Sequence, residues 1–315
     1  MVPRQALTPD DPREDMVAAF QIDGEPVRGR IVQLGAGTID PILRRHDYPE
    51  PIARLLGEAL LLAVVVGTSL KFDGKLLVQA EGPGLVSMLV AEYASTGDLR
   101  GYARFDPDKW KSAVDAGARR LEVADVFGDK AVLGMIIVHD DPSMRPYQGV
   151  VPLTQPTLSA CAEEYFARSE QVPSKIALGV GELTVPGSPP VWQGGGIVIQ
   201  QIAADDSRGD TDDAWETAKA LFHTVEDSEL IDPMLPPDRL LYRLFNEPGV
   251  RLETAYRVTD ACSCNEERLK QTLRGMPDDA LRDLVEPDGR LAIDCQFCNR
   301  HYAIPIEQVT EPADG

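Results

Sequence analysis

Cys262-Ser263-Cys264 and Cys295-Gln296-Phe297-Cys298 are the two stretches whose reading decides the organisation of this 315-residue chain. They hold four of its five cysteines, spaced as C-x-C, thirty residues (265–294), then C-x-x-C. Two short chelating loops brought together supply four thiolates, a donor set suited to tetrahedral Zn²⁺ with Zn–S near ~2.3 Å. The C-x-x-C half is a common zinc knuckle. The C-x-C half is less common in purely structural sites and sets two thiols close enough to oxidise to each other. Three readings stay open: a closed structural zinc site, a redox-labile zinc site, and a pair of permanent disulfides. The last suits a secreted protein. Met1-Val2-Pro3-Arg4 runs into Thr8-Pro9-Asp10-Asp11-Pro12 with no apolar stretch of signal-peptide length, so a reducing cytoplasm and metal are expected. His301, three residues past Cys298, is a further candidate ligand, but four thiols suffice without it.

Composition narrows the function classes. Lys and Arg total 31 against 51 Asp and Glu, a formal net charge of −20, with 43% hydrophobic residues. Such a field repels phosphate backbones and disfavours a zinc-ribbon role on DNA or RNA. The longest apolar run, Ala59 to Val66, falls well short of the ~20 residues that span a bilayer and reads as a buried core helix. No membrane or nucleic-acid partner is expected.

Upstream of the cysteines the chain alternates strand-like and helix-like segments. Strands are expected at Phe20–Ile22, Val27–Leu34, Lys75–Ala80, Leu99–Phe105, Ala131–Val138, Gln148–Leu153, Lys175–Val180 and Gly196–Ile202. Helices are expected over Pro51–Leu70, Leu85–Tyr93 and Thr157–Arg168. This is an α+β core of one mixed or antiparallel sheet with helices, over residues 1–208. Cys161 falls in register with Leu158, Ala162 and Tyr165, a buried and inert thiol. The acidic break from Asp205 to Asp213 marks a boundary. Beyond it, residues 209–254 form a helical linker with two apolar stripes, Trp215, Ala218, Phe222 and Val225, then Leu240, Leu241, Leu244 and Phe245. Neither stripe folds alone, so both are expected to dock on the core sheet at rest. Residues 255–315 form the small zinc module: a helix over Glu266–Arg274, a second from Asp278, and a hairpin of Arg290–Asp294 with His301–Ile304. Few large apolar side chains make its core marginal, so metal, ~10–16 kcal/mol in comparable peptides, must supply much of its stability.

Six stretches together resemble a known family, the redox-regulated holdase chaperones called heat shock protein of 33 kDa, or 33 kDa chaperonin. They are Cys262-Ser-Cys264, Cys295-Gln-Phe-Cys298-Asn-Arg-His-Tyr302, Glu164-Tyr-Phe-Ala-Arg-Ser-Glu-Gln171, Tyr147-Gln-Gly-Val-Val151, Leu70-Lys-Phe-Asp-Gly74 and Leu221-Phe-His223. The resemblance spans nearly the whole chain. It implies one zinc ion held by Cys262, Cys264, Cys295 and Cys298 when reduced, and zinc loss with disulfides Cys262–Cys264 and Cys295–Cys298 under oxidants. It also implies ATP-independent capture of unfolded client proteins in the cytoplasm, with Trp215, Phe222, Leu240, Leu241, Leu244 and Phe245 as candidate client-binding residues. A homodimer of the oxidised form is left open. The chain departs from the family in an N-terminal extension through about Asp15 and a longer acidic loop near Asp205.

Enzyme readings fare worse. Gly35-Ala-Gly37-Thr38 is too short for a phosphate loop, and neither H-x-E nor H-E-x-x-H occurs. A thiol-disulfide oxidoreductase or isomerase is the enzyme alternative, though its C-x-x-C belongs at a helix start rather than after a strand. A zinc-ribbon interaction module without redox response is the other alternative.

Overall fold

The computed structural model describes residues 4–8, 11, 14–117, 122–184, 186–202 and 211–310. The chain divides into two compact units, Met1–Asp260 and Ala261–Gly315. The first opens with β1 (Met16–Ile22), β2 (Val27–Leu34), α1 (Ile39–Arg44) and α2 (Glu50–Ser69). Then come β3 (Gly74–Glu81), β4 (Val86–Ala94) and β5 (Asp98–Phe105), with the short helices α3 (Pro107–Asp115) and α4 (Val123–Phe127). Strands β6 (Val132–His139) and β7 (Tyr147–Pro152) lead to α5 (Leu158–Tyr165), which runs on as a π-helical turn over Phe166–Glu170. Hairpin β8 (Ser174–Leu183) and β9 (Val191–Gln201) precedes α6 (Thr211–Phe222), α7 (Asp227–Leu230) and α8 (Pro237–Phe245). Strands β10 (Val250–Arg257) and β11 (Thr259–Asp260) complete this unit.

The α+β class holds, but the strands divide between two sheets instead of one. A five-stranded antiparallel sheet has the order β10-β1-β2-β9-β8, and a six-stranded one has β11-β5-β4-β3-β6-β7. Helix α2 explains the split. It packs on β2, β8 and β9 of the first sheet and on β3, β4 and β5 of the second. Fifteen of its 20 residues are buried, and from Ala59 to Thr68 the burial is continuous on every side, as a helix serving two sheets requires. By length and composition it could cross a membrane, and the apolar segment is longer than Ala59–Val66 alone suggests. Its burial within the fold makes it the core helix that the sequence pointed to.

A second expectation is overturned. Leu85–Tyr93 is not a helix but the strand β4, paired antiparallel with β3 on one side and β5 on the other. Leu85, Val86, Met88, Leu89, Val90, Ala91 and Tyr93 are apolar in near-continuous run, and such a run does not separate a period of 2 from one of 3.6. Pairing on both edges decides it. Glu92, also on β4, is buried between Lys75 and Arg100 at 2.7 Å each. Burial opposes its charge, but those two cations hold its carboxyl below the usual carboxylate range.

The expected linker stripes do dock. Trp215, Ala218 and Phe222 of α6 and Leu240, Leu241, Leu244 and Phe245 of α8 are buried against Phe20, Ile22, Ile31, Ile197 and Ile199 of the five-stranded sheet. Phe20 and Phe245 stack with centroids 6.0 Å apart. Phe20 lies flat over β2 because a Cβ at Gly29 would stand 2.1 Å from its ring. Helix α7 seats Leu230 on two glycines: a Cβ at Gly195 would lie 2.1 Å from the Leu230 carbonyl oxygen, and one at Gly179 would lie 3.0 Å from its Cβ. The N-terminal extension also has a place. Leu7 N–H donates to Ala255 O at 2.8 Å and Arg257 N–H to Gln5 O at 2.9 Å, so residues 5–7 line the edge of β10. The acidic loop near Asp205 lies outside the described residues.

The second unit contains α9 (Glu266–Arg274), α10 (Asp278–Asp283), the hairpin β12 (Arg290–Asp294) and β13 (His301–Pro305), and α11 (Glu307–Thr310). Among the described residues its buried apolar set is Leu273, Leu281, Leu291, Ile304 and Val309.

Candidate metal centre

Two local structures deliver the cysteines. Cys264 directly precedes Asn265, which caps α9 by accepting the Arg268 N–H on its Oδ1 at 2.8 Å. The cap fixes where the C-x-C loop ends. Cys295 and Cys298 lie in the loop joining β12 to β13, whose register pairs Asp294 with His301. Cys295 N–H donates to Arg300 O at 3.0 Å, and Asn299 N–H donates to Cys295 O at 2.8 Å. Asn299 takes φ +56°, a left-handed conformation that Asn tolerates better than most residues. The result is a tight knuckle with both sulfurs turned to one side.

The four sulfurs converge, all within 4.8 Å of one another. Cys262 Sγ lies 3.8 Å from Cys295 Sγ, and Cys264 Sγ lies 3.3 Å from Cys298 Sγ. A tetrahedral zinc with Zn–S near ~2.3 Å needs sulfurs roughly 3.8 Å apart, so the donor set fits such an ion. None of the four is in a disulfide, and all are half-buried. Tyr302 Oη–H donates to Cys264 Sγ at 3.2 Å. Burial pushes the Cys264 thiol up, but hydrogen bonds from Tyr302 and from the neighbouring cysteines outweigh it and bring the thiol down to about 7. Burial pushes Cys295 and Cys298 up, Cys298 to about 12, where the cysteine contacts add to it. Four sulfurs this close do not all ionise by themselves. A dication among them would remove that restriction.

His301 is not part of the cluster. Its Nδ1 lies 2.8 Å from Asp294 Oδ1 at the exposed end of the hairpin. Cys161 is fully buried on α5, far from the cluster in sequence, and burial pushes its thiol up. The six candidate client-binding residues, Trp215, Phe222, Leu240, Leu241, Leu244 and Phe245, all lie buried on the five-stranded sheet. Met234, between α7 and α8, and Tyr242 of α8 are 83% and 68% exposed. Val138, Met144, Tyr147 and Val150, on and between β6 and β7 at the edge of the six-stranded sheet, are also exposed, with Tyr147 and Val150 on opposite faces of β7. The sequence did not mark them, because alternation along an edge strand does not say which face lacks a covering layer. The Gly35–Thr38 loop already holds an anion of its own: Gly35 and Gly37 N–H donate to the Asp15 carboxylate at 2.8 and 3.1 Å.

Comparison with known proteins places this geometry in a family context. The family model described as Hsp33 protein matches residues 15–305. A 33 kDa chaperonin of Caulobacter vibrioides is 46% identical over 291 residues, covering 92% of this chain and 95% of that one. A 33 kDa chaperonin of Escherichia coli O7:K1 is 31% identical over 301 residues, covering 95% of each. Among solved structures, the 33 kDa chaperonin (heat shock protein 33 homolog) of Thermotoga maritima superposes with a TM-score of 0.72 at 23% identity, over 94% of this chain and 96% of its own, a likeness of fold.

Proposed function

The chain belongs to the Hsp33 family, and from that premise we propose that it is a redox-regulated, ATP-independent holdase that protects unfolding proteins in the cytoplasm during oxidative stress. The relatives' name, 33 kDa chaperonin, supports a chaperone that binds unfolded clients rather than a catalyst. One observation carries the redox part. Four half-buried sulfurs lie within 4.8 Å of one another in a unit whose own apolar core is five residues. In this reading residues 1–208 are the chaperone core, 209–254 the linker and 255–315 the redox switch.

A zinc ion held by Cys262, Cys264, Cys295 and Cys298 would keep the sulfurs as thiolates and cross-link the C-x-C loop to the hairpin. The oxidation runs through the sulfurs alone. In each pair an S–S bond forms while two thiolates give up two electrons. Hydrogen peroxide accepts them together with two protons from solvent, its O–O bond breaks, and two waters leave. The proposed bonds are Cys262–Cys264 and Cys295–Cys298, each within a single loop. Cys262–Cys295 and Cys264–Cys298 are the competing products, and peptide mapping of oxidised protein separates the two outcomes. Once oxidised, the four sulfurs no longer chelate, and five buried apolar residues are left to hold the unit. The linker follows by chain continuity. Helix α8 runs into β10, the edge strand of the five-stranded sheet, and Val250 and Leu252 of β10 pack beside the α8 stripe. Loosening the chain past β10 weakens that side and lets Trp215, Phe222, Leu240, Leu241, Leu244 and Phe245 turn outward. The surplus of negative charge keeps the opened protein dispersed.

The deciding experiment measures bound zinc and free thiols before and after peroxide at raised temperature, alongside light scattering of a heat-denatured client. Oxidised protein is expected to lose four thiols and one zinc and to suppress aggregation, while reduced protein does not suppress it. Equal suppression by the reduced form would leave the cluster a purely structural site.

A further inference from the structure

A cleft of about 560 Å³ opens in the first unit, and no cysteine lines it. Its floor is the face of β1 and β2 opposite the docked linker, and its walls are the end of α2, the loop that follows, and β10. Its charge is unusual for this chain. Arg4, Arg28, Arg30 and Lys71 line it against only Asp73 and Glu253, a local balance of four cations to two anions, or +2, in a protein of formal charge −20. Among the described residues none of these four cations takes part in an ion pair within 4.0 Å.

The backbone builds this concentration. Arg28 and Arg30 sit two apart on β2 and so share a face, away from Val27 and Ile31, which pack on the linker side. Opposite Arg30 on β1 is Ala19, whose small side chain leaves the floor open. Ala19 also lies at the bulge where the pairing of β1 with β10 shifts between Ala18 and Phe20. Arg30 is held in place: its Nε donates to Thr68 O at 3.1 Å and its Nη1 to Gly29 O at 2.9 Å. Arg4, supplied by the N-terminal extension, lies over the Tyr256 ring at 5.5 Å. Lys71 comes from the Leu70-Lys-Phe-Asp-Gly74 stretch, which the redox chemistry does not use. Burial, and then the neighbouring Arg28, lower the Arg30 guanidinium from its ordinary value, with Glu253 opposing.

We propose that this cleft is a binding site for a small phosphate anion carrying at least two charges, seated between Arg28, Arg30, Arg4 and Lys71. Guanidinium groups match phosphate oxygens in a two-pronged way, and Lys adds a movable point charge. Tyr256 and Phe72 add aromatic lining at the wall that suits an organic substituent if the phosphate is esterified. The chain's overall field still opposes an extended polyanion, which confines the ligand to small molecules.

The test is calorimetric titration of full-length reduced protein at physiological salt with two probes, tripolyphosphate and ADP. Saturable one-site binding of either supports the site. Tighter binding of tripolyphosphate identifies a free oligophosphate, and tighter binding of ADP identifies a phosphate ester with its ring against Tyr256 and Phe72. Arg28 and Lys71 are exposed, so Arg28→Glu and Lys71→Glu leave the thermal midpoint unchanged and each weaken binding about tenfold or more. Lys111→Glu, at an exposed position on α3, changes affinity less than about twofold. Absence of saturable binding to wild type, or equal loss in Lys111→Glu, overturns the proposal.

Discussion

The two units of this chain reach stability by different routes. In Met1–Asp260, a 20-residue apolar helix is packed on strands of two sheets, and a second cluster on the five-stranded sheet takes in α6 and α8. Each large side chain fully buried there contributes roughly 1.5–3 kcal/mol. In Ala261–Gly315 five buried apolar residues face four clustered thiols. A unit that small commonly borrows stability from a cross-link, and in the proposed reading that cross-link is made of oxidisable sulfur. On that reading stability and redox sensitivity would reside in the same four atoms. The first unit has no such exposure, since its one cysteine, Cys161, is fully buried.

The largest expected effect breaks the second unit and spares the first. Cys298→Ser should abolish tight zinc binding, an interaction worth ~10–16 kcal/mol in comparable peptides, and unfold residues 261–315. Hydrogen exchange should rise throughout that segment while β3, β4 and β6 stay protected. Uniform protection in the variant would show that the apolar core suffices.

A smaller effect is expected at the linker. Phe245→Ala removes a fully buried ring stacked on Phe20 and should cost about 3–5 kcal/mol of docking. Reduced Phe245→Ala protein should then suppress client aggregation without peroxide. If it stays inactive until oxidised, the docked α8 is not what restrains activity.

The pH dependence sharpens the same contact. Glu58 on α2 is pushed up to about 7, first by burial and then by Asp227 of the docked α7, with Arg54 opposing. Its folded value lies above its unfolded one, so its protonated form favours the fold. That contribution is complete below about pH 4.5 and is lost as pH rises through about 7. With solvent screening the loss is on the order of 1–2 kcal/mol. Thermal midpoints should fall between pH 5 and 8 in wild type and run flatter in Glu58→Gln. Parallel slopes in the two proteins would remove Glu58 from the account.

The smallest effect is at Cys161. Cys161→Ser should leave zinc content unchanged and cost about 1 kcal/mol of first-unit stability, because a hydroxyl replaces a buried thiol. Loss of zinc in this variant would contradict the four-sulfur assignment.

The sequence alone determined whatever rests on local chemistry. The paired cysteine spacing pointed to the chelating loops, Thr157 to the start of α5, where its Oγ accepts the Ala160 N–H, and the alternation of Val27–Leu34 to β2. The stripes of Trp215–Phe222 and Leu240–Phe245 marked amphipathic helices in the same way. Tertiary structure decided what depends on partners distant in sequence. Val86–Ala94 is a strand because β3 and β5 hydrogen-bond both its edges, and no local period records that. The strands form two sheets because the second half of α2, Ala59 to Thr68, is buried on every side and must be covered twice. Gly179 and Gly195 matter because Leu230 approaches them across the sheet. Four cations scattered from Arg4 to Lys71 become one cleft only after β1, β2 and the end of α2 are assembled. Spacing along a chain reports which groups share a loop or a face, whereas charge density and burial depend on which faces meet.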